Sequence, residues 1–192
     1  FYKINKSIKN TKVNSVIFSD FRHGIFNKST IKGLSNSINK NVFKVADSQV
    51  ATRWGNISEF QEFDLITPNE KEARFTLGDQ DSSIGILAKK IQEKTKSKFL
   101  ILKLGERGAL CVEKNNKNLA FNIGSFAENV VDAVGAGDAF LAYATLIYLK
   151  TKSLVYAGII GSLAASCECE VDGNLPIKKK EILSKIDQVE KI

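Results

Sequence analysis

Apolar and polar positions change period along this chain, and the period predicts its elements. VNSVIFSD (13–20) is rich in β-branched and aromatic residues and stops at a turn around Gly24, as a strand would. STIKGLSNSINKN follows, with Ile31, Leu34 and Ile38 at helical spacing and Ser29 or Thr30 as the cap. VFKVAD (42–47) reads as a second strand and FDLITPN (63–69) as a third, cut off by Pro68. PNEKEARFTLG predicts a helix from Asn69 to Gly78. SSIGILAKKIQEKTK (82–96) sets Ile84, Leu87, Ala88 and Ile91 on one helical face. FLILKLG (99–105) is nearly all apolar, the pattern of a strand buried on both faces.

GERGALCVEKNNKNLAF predicts a turn, a strand, a hairpin at Asn115-Asn116 and a returning strand. ENVVDAVGAGDAF reads as a strand end feeding a helix that runs to about Lys150. A second helix is expected over about Leu154 to Cys167 and a third from near Lys178. Strands alternating with helices imply an α/β fold: a doubly wound, mostly parallel sheet with helices on both faces. With no repeat, low-complexity tract or linker, residues 1–192 read as a single domain. In such sheets ligands sit at the carboxyl ends of the strands. Four segments place polar or glycine-rich chemistry there: Asp20 to Gly24, Pro68 to Glu72, Lys103 to Gly108, and Asp132 to Asp138.

Composition narrows the function classes. The chain has 192 residues, 43% hydrophobic and 26% charged, with a formal charge of +7, enough for one sizeable core. The lysines are scattered apart from Lys178-Lys179-Lys180, and no basic stripe is interleaved with aromatics. Nucleic-acid binding is therefore not expected; a solvated basic surface or a site for anionic ligands fits better. Cys111, Cys167 and Cys169 are odd in number and widely spaced, and His23 is the only histidine, so neither a disulfide framework nor a structural zinc site is expected. No apolar run reaches the roughly 20 residues that span a bilayer, and FYKINKSIKN lacks the apolar core of a signal peptide. The expectation is a cytoplasmic protein with no membrane partner. The chain begins at Phe1 and contains no methionine, so it reads as processed or as a piece of something longer.

The richest chemistry is in GAGD. Gly135 and Gly137 let backbone approach a ligand closely, because no Cβ intervenes. The N–H groups of Ala136, Gly137 and Asp138 open a helix whose positive pole attracts anions, and they can cup a phosphoryl group in transfer. Asp138 then stands beside that anion as a general base for an attacking hydroxyl. The alternative is that Asp138 caps the helix and the glycines only make a tight turn. The dinucleotide fingerprint does not fit, since GAGDAF lacks the third glycine and comes late in the chain.

DAVGAGDAF resembles the signature of the ribokinase-like (phosphofructokinase-B type) carbohydrate kinases, written Asp-Thr-x-Gly-Ala-Gly-Asp. TPNEKEA resembles that family's Asn-x-x-Glu motif, ILKLGERGAL its nucleotide-side strand and turn, and VIFSDFRHGIF the Asp-Tyr-x-Lys-Gly segment of its heptose-phosphate kinase branch. Order and spacing agree over roughly residues 13–176. The resemblance implies ATP-dependent phosphorylation of a sugar or sugar phosphate, with Asp138 as base and Gly135, Ala136 and Gly137 as anion hole. It places Asn69 and Glu72 near Mg²⁺ and the phosphates, partly through water. It puts Lys103, Gly105, Gly108 and Ser162 on the nucleotide side and Asp20 near the sugar.

Simpler roles compete for several of these residues. Asn69 and Glu72 have the spacing of a helix capping box, and both roles can hold together. Lys103 either neutralises a phosphate or reaches solvent. Asp20 either borders the sugar or opens a turn. Asp132 either orders the loop beside a monovalent-cation site or bonds nearby backbone N–H groups. Trp54 and Phe60 read as core or pocket wall. The chain departs from the family pattern where Ala133 replaces threonine, Ser162 asparagine and His23 lysine. The family's early Gly-Gly motif and lid are not visible, so the resemblance covers the carboxy-terminal part of the fold. It implies a homo-oligomer, a dimer, through surface normally covered by the rest. The alternative function is a non-catalytic adenine-nucleotide-binding or assembly module.

Overall fold

Six strands form one sheet: β1 (Ser15–Asp20), β2 (Phe43–Ser48), β3 (Leu65–Ile66), β4 (Phe99–Lys103), β5 (Ala109–Glu113) and β6 (Leu119–Ile123). They lie side by side in chain order, and β1 through β4 are parallel, in register Ser15 with Phe43, Val45 with Leu65, and Leu65 with Phe99. The computed structural model describes residues 2–49, 57–114, 119–173 and 175–191. The expected hairpin at Asn115-Asn116 and Trp54 lie outside the described residues. The helices are α1 (Tyr2–Asn10), α2 (Lys28–Ser37), α3 (Glu70–Leu77), α4 (Ile84–Thr95), α5 (Ala136–Thr151), α6 (Leu154–Cys169) and α7 (Lys179–Val189). Among the described residues, no helix is long and apolar enough to cross a membrane. The chain clusters into two compact units, Phe1–Leu102 with Val112–Leu119, and Lys103–Cys111 with Ala120–Ile192.

In the first unit, Phe18 of β1 and two aromatics from the connection between β2 and β3 make an aromatic core. Phe18, Phe60 and Phe63 meet edge to face, with centroids 5.0 Å apart for Phe18–Phe63 and 5.4 Å for Phe60–Phe63. Phe60 is fully buried, so it belongs to the core. Ile31 and Leu34 are the buried stripe of α2. The cap of α2 is Asn27, not Ser29 or Thr30. Asn27 Oδ1 accepts the N–H groups of Ser29 and Thr30, each at 3.0 Å, and Thr30 Oγ1 accepts the Asn27 N–H at 2.8 Å. Thr30 thus completes the box from inside the helix, because the preceding asparagine already supplies a cap oxygen. The third strand is shorter than FDLITPN suggests. Pro68 cannot donate to a ladder, and only Leu65 and Ile66 pair with both neighbours. Helix α1 has no counterpart in the sequence reading; Ile4 and Ile8, one turn apart in a polar stretch, are too short a pattern to separate a helix from a loop.

In the second unit, α5, α6 and α7 share an apolar core of Leu163, Ala164 and Ile182, with Phe126, Ala139 and Ile186 packed against it. Gly161 lets α6 approach α5: a Cβ there would lie 3.0 Å from the Phe140 ring and 3.1 Å from Ala144. Gly158 does the same against the strands, where a Cβ would overlap Ile123 Cδ1 at 2.3 Å and Cys111 Sγ at 2.6 Å. Burial pushes the Cys111 thiol up to about 12, so it stays neutral and acts as a small apolar group. α6 runs two residues past the expected Cys167. The segment before GAGD is not a strand end. Val130 and Val131 are 57% and 61% exposed, and the Val131 and Asp132 N–H groups go to the Cys169 carbonyl at 2.7 and 3.2 Å. β-branched residues alone do not make a strand where no neighbouring strand takes their backbone.

Candidate active site

In the second unit, β4 ends at Lys103 and turns through a short 3₁₀ segment, Gly105–Arg107. The Leu104 N–H donates to the Gly108 carbonyl at 2.8 Å and the Gly108 N–H to the Gly105 carbonyl at 2.9 Å, which closes the turn. Gly108 adopts φ 81°, ψ −127°, a region closed to residues with a Cβ. A Cβ there would lie 2.0 Å from the Ile123 carbonyl oxygen, so this turn presses backbone against backbone at the end of β6.

The GAGD segment forms the start of α5. Gly135 is the N-cap in the left-handed region, φ 88°, ψ −22°, and no side chain caps this end. Asp138 lies three residues further on, in the first turn, and does not cap α5. Asn27, Asn69 and Ser153 cap α2, α3 and α6 with side-chain oxygens, whereas α4 and α7, like α5, start without a side-chain cap bond. The first turn of a helix leaves its N–H groups without intrahelical partners. In α5 the Ala136 N–H meets the Ala133 carbonyl in a long bond of 3.4 Å and the Ala139 N–H reaches the Gly135 carbonyl at 2.9 Å, while Gly137 opens the turn without a side chain. Backbone conformation does not ask for glycine at position 137. Its φ is ordinary, and among the described residues a Cβ there would meet only Lys103 Nζ, at 3.3 Å, outside its own helix and neighbours. Alanine would stabilise a helix by up to about 1 kcal/mol relative to glycine at an interior position. The bare position thus keeps one space open, beside an ammonium and against the positive end of a 16-residue helix. Asp138, the next residue in the chain, is half-buried.

In the first unit, the Asn-x-x-Glu pair forms the capping box of α3. Asn69 Oδ1 accepts the Glu72 N–H at 2.9 Å; Glu72 Oε2 accepts the Asn69 N–H and Oε1 the Asn69 side-chain amide, both at 2.7 Å. Glu72 is 4% exposed. These bonds hold the carboxylate against the first turn of α3. Among the described residues no group of three or more His, Cys, Asp or Glu side chains could form a metal cage.

Asp20, at the end of β1, opens a turn. Its carboxylate accepts the Arg22 N–H at 2.9 Å, the Arg22 guanidinium at 2.7 Å and the Ser48 hydroxyl at 3.1 Å, while Arg22 sits at φ 60°. Asp132 has the local role too, accepting the Val134 N–H at 2.9 Å. Ser162 is buried within α6, at 7% exposure. A cleft of about 870 Å³ in the first unit, lined by Lys28, Lys32, Lys44, Phe63 and Lys98 among others, lies at the amino ends of β2 to β4 and contains none of the motif residues. One buried charge cluster has no trace in the sequence reading. Lys185 of α7 is 4% exposed, with Nζ 2.6 Å from Glu170 and 3.8 Å from Glu128. Three residues so far apart in the chain carry no spacing signal.

Bifunctional protein HldE of Helicobacter pylori is 28% identical over 175 residues, which take in 82% of this chain and 36% of that protein. The HldE protein of a Marinomonas species is 29% identical over 155 residues, 76% of this chain and 30% of its own length. The chain therefore spans about a third of the length of the curated relatives it matches. Among solved structures, Thermotoga maritima ribokinase superposes with a TM-score of 0.75 at 24% identity, over 95% of this chain and 59% of that one. Escherichia coli phosphofructokinase-2 in complex with potassium gives 0.82 at 18% identity, over 98% of this chain and 62% of that one. At these identities the two structures speak for the fold. The pattern of the pfkB family carbohydrate kinases matches residues 12–179, which span every motif described above, and the chain belongs to that family.

Proposed function

We propose that this chain carries the phosphoryl-transfer chemistry of an ATP:sugar phosphotransferase. Asp138 takes the proton from a hydroxyl of a sugar or sugar phosphate. The oxygen attacks the γ-phosphorus in line, its bond to the β-phosphate oxygen breaks, and ADP leaves. The amides of Ala136, Gly137 and Asp138 receive the charge on the transferring group, and Lys103 adds a cation beside them. Mg²⁺, when bound, neutralises phosphate charge. Glu72 would hold it through water, and Asn69 would fix that carboxylate in the geometry of the capping box. Gly105 and Gly108 would shape the nucleotide side, with Ser162 behind it in α6, and Asp20 would border the acceptor. The observation that carries this reading is Gly137: a glycine its backbone does not require, where a Cβ would press to 3.3 Å on Lys103 Nζ.

SDFRHG resembles the heptose-phosphate branch, and a heptose phosphate is the acceptor class we favour. The test is release of ADP from MgATP across a panel of pentoses, hexoses, their phosphates and a heptose phosphate. Acceptor-dependent ADP release, greatest with the heptose phosphate, is expected. Saturable ATP binding with no acceptor-dependent release would instead make the chain a nucleotide-binding module.

A further inference from the structure

Lys185 is a buried cation far from every family motif. At 4% exposure its ammonium has lost nearly all of its water, a cost that only good partners offset. Glu170 is one partner, at 2.6 Å, and Glu128 a second, at 3.8 Å. The same Glu170 Oε1 accepts the backbone N–H of Glu128 at 3.0 Å. The next ties follow in sequence. Val131 and Asp132 donate to the Cys169 carbonyl at 2.7 and 3.2 Å, and Val134 donates to Asp132 Oδ1 at 2.9 Å. Phe126 and Ala139, on either side of this stretch, pack with Ile182 and Ile186 of α7 on one apolar cluster.

The segment has no regular structure of its own, so these contacts set its path into Gly135. We propose that Lys185 is a positioning residue. Through Glu170 it clamps residues 128–134 onto the end of α6 and thereby fixes where the first turn of α5 presents its amides and Asp138. The inference rests on the transfer role proposed above for that turn. A buried pair is weak evidence for stability, since an apolar replacement is often neutral. Its value here is geometric: a misplacement of about 1 Å at reacting groups can cost about 100-fold.

The test compares Lys185→Met, Lys185→Arg and Glu170→Gln by amide hydrogen exchange and by transfer kinetics. In Lys185→Met, exchange at Val131, Asp132 and Asp138 should rise by about tenfold or more, with β1 to β3 unchanged. The transfer rate should fall by about tenfold or more at a KM for MgATP within about threefold of wild type. Lys185→Arg should restore both. Glu170→Gln, which keeps the acceptor for Glu128 but drops the charge, should fall between them. If Lys185→Met does not fold, Glu170→Gln decides alone. Unchanged exchange in the segment overturns the proposal, as does faster exchange with full transfer. If the wild type transfers to no acceptor, the kinase reading fails separately, and the exchange result still decides the clamp.

Discussion

Asp138→Asn lowers acceptor-dependent transfer by about 10²–10⁴-fold, the usual worth of a positioned base, or roughly 3–5 kcal/mol of barrier. Its affinity for MgATP stays within about threefold of wild type. The change keeps size and shape, so the first turn of α5 is retained; only the capacity to take a proton is lost. Asp138 makes no cap for α5, since Gly135 holds that position, so the helix does not depend on the carboxylate for its start. An acid here gains about 0.3–1 kcal/mol from the helix dipole, a modest loss in the variant. The measurement is kcat and KM for MgATP with saturating acceptor, beside the melting temperature. A variant that transfers as fast as wild type removes Asp138 from the base role.

Gly108→Ala destabilises the chain by about 4 kcal/mol or more and gives largely insoluble protein. Two independent costs add. The backbone at φ 81°, ψ −127° is open to glycine alone, and forcing another residue into such a region costs about 1–3 kcal/mol. The new methyl would also stand 2.0 Å from the Ile123 carbonyl oxygen, 2.6 Å from Gly124 C and 2.8 Å from Ser125 N. All three are backbone atoms, so no side-chain rotation relieves the overlap. With total stability typically about 5–15 kcal/mol, this one methyl takes a large share. Urea denaturation checks it: a midpoint shift worth less than about 1 kcal/mol means the turn does not press on the end of β6.

What the sequence revealed, and what it hid, follows from the range of the interactions. Ile31, Leu34, Leu87 and Ile91 lie at helical spacing and are buried, because one face of a helix is a local pattern. Asn69, Glu72 and Gly78 marked both ends of α3, because capping chemistry is complete within a single turn. The GAGD start of α5 was legible for the same reason. Two features misled. Val130 and Val131 favour strands by type, yet they sit exposed, since strand formation needs a neighbour that the sequence does not name. Asn27 was passed over for Ser29 and Thr30, although all three take part in one reciprocal cap. The clamp of Lys185, Glu170 and Glu128 was invisible. Buried charge pairs join positions with no common period, and Lys185 in a polar helix reads as a solvated lysine.

The most direct measurement compares the affinities of this chain for MgATP and MgADP, by calorimetry, in wild type and Gly137→Ala. If the first turn of α5 receives the terminal phosphate, the added methyl crowds Lys103 Nζ and closes the space over the amides. MgATP affinity then falls about tenfold or more, about 1.4 kcal/mol, while MgADP affinity changes less than about twofold and the melting temperature does not drop. Equal affinities for both nucleotides in the two proteins would contradict the account.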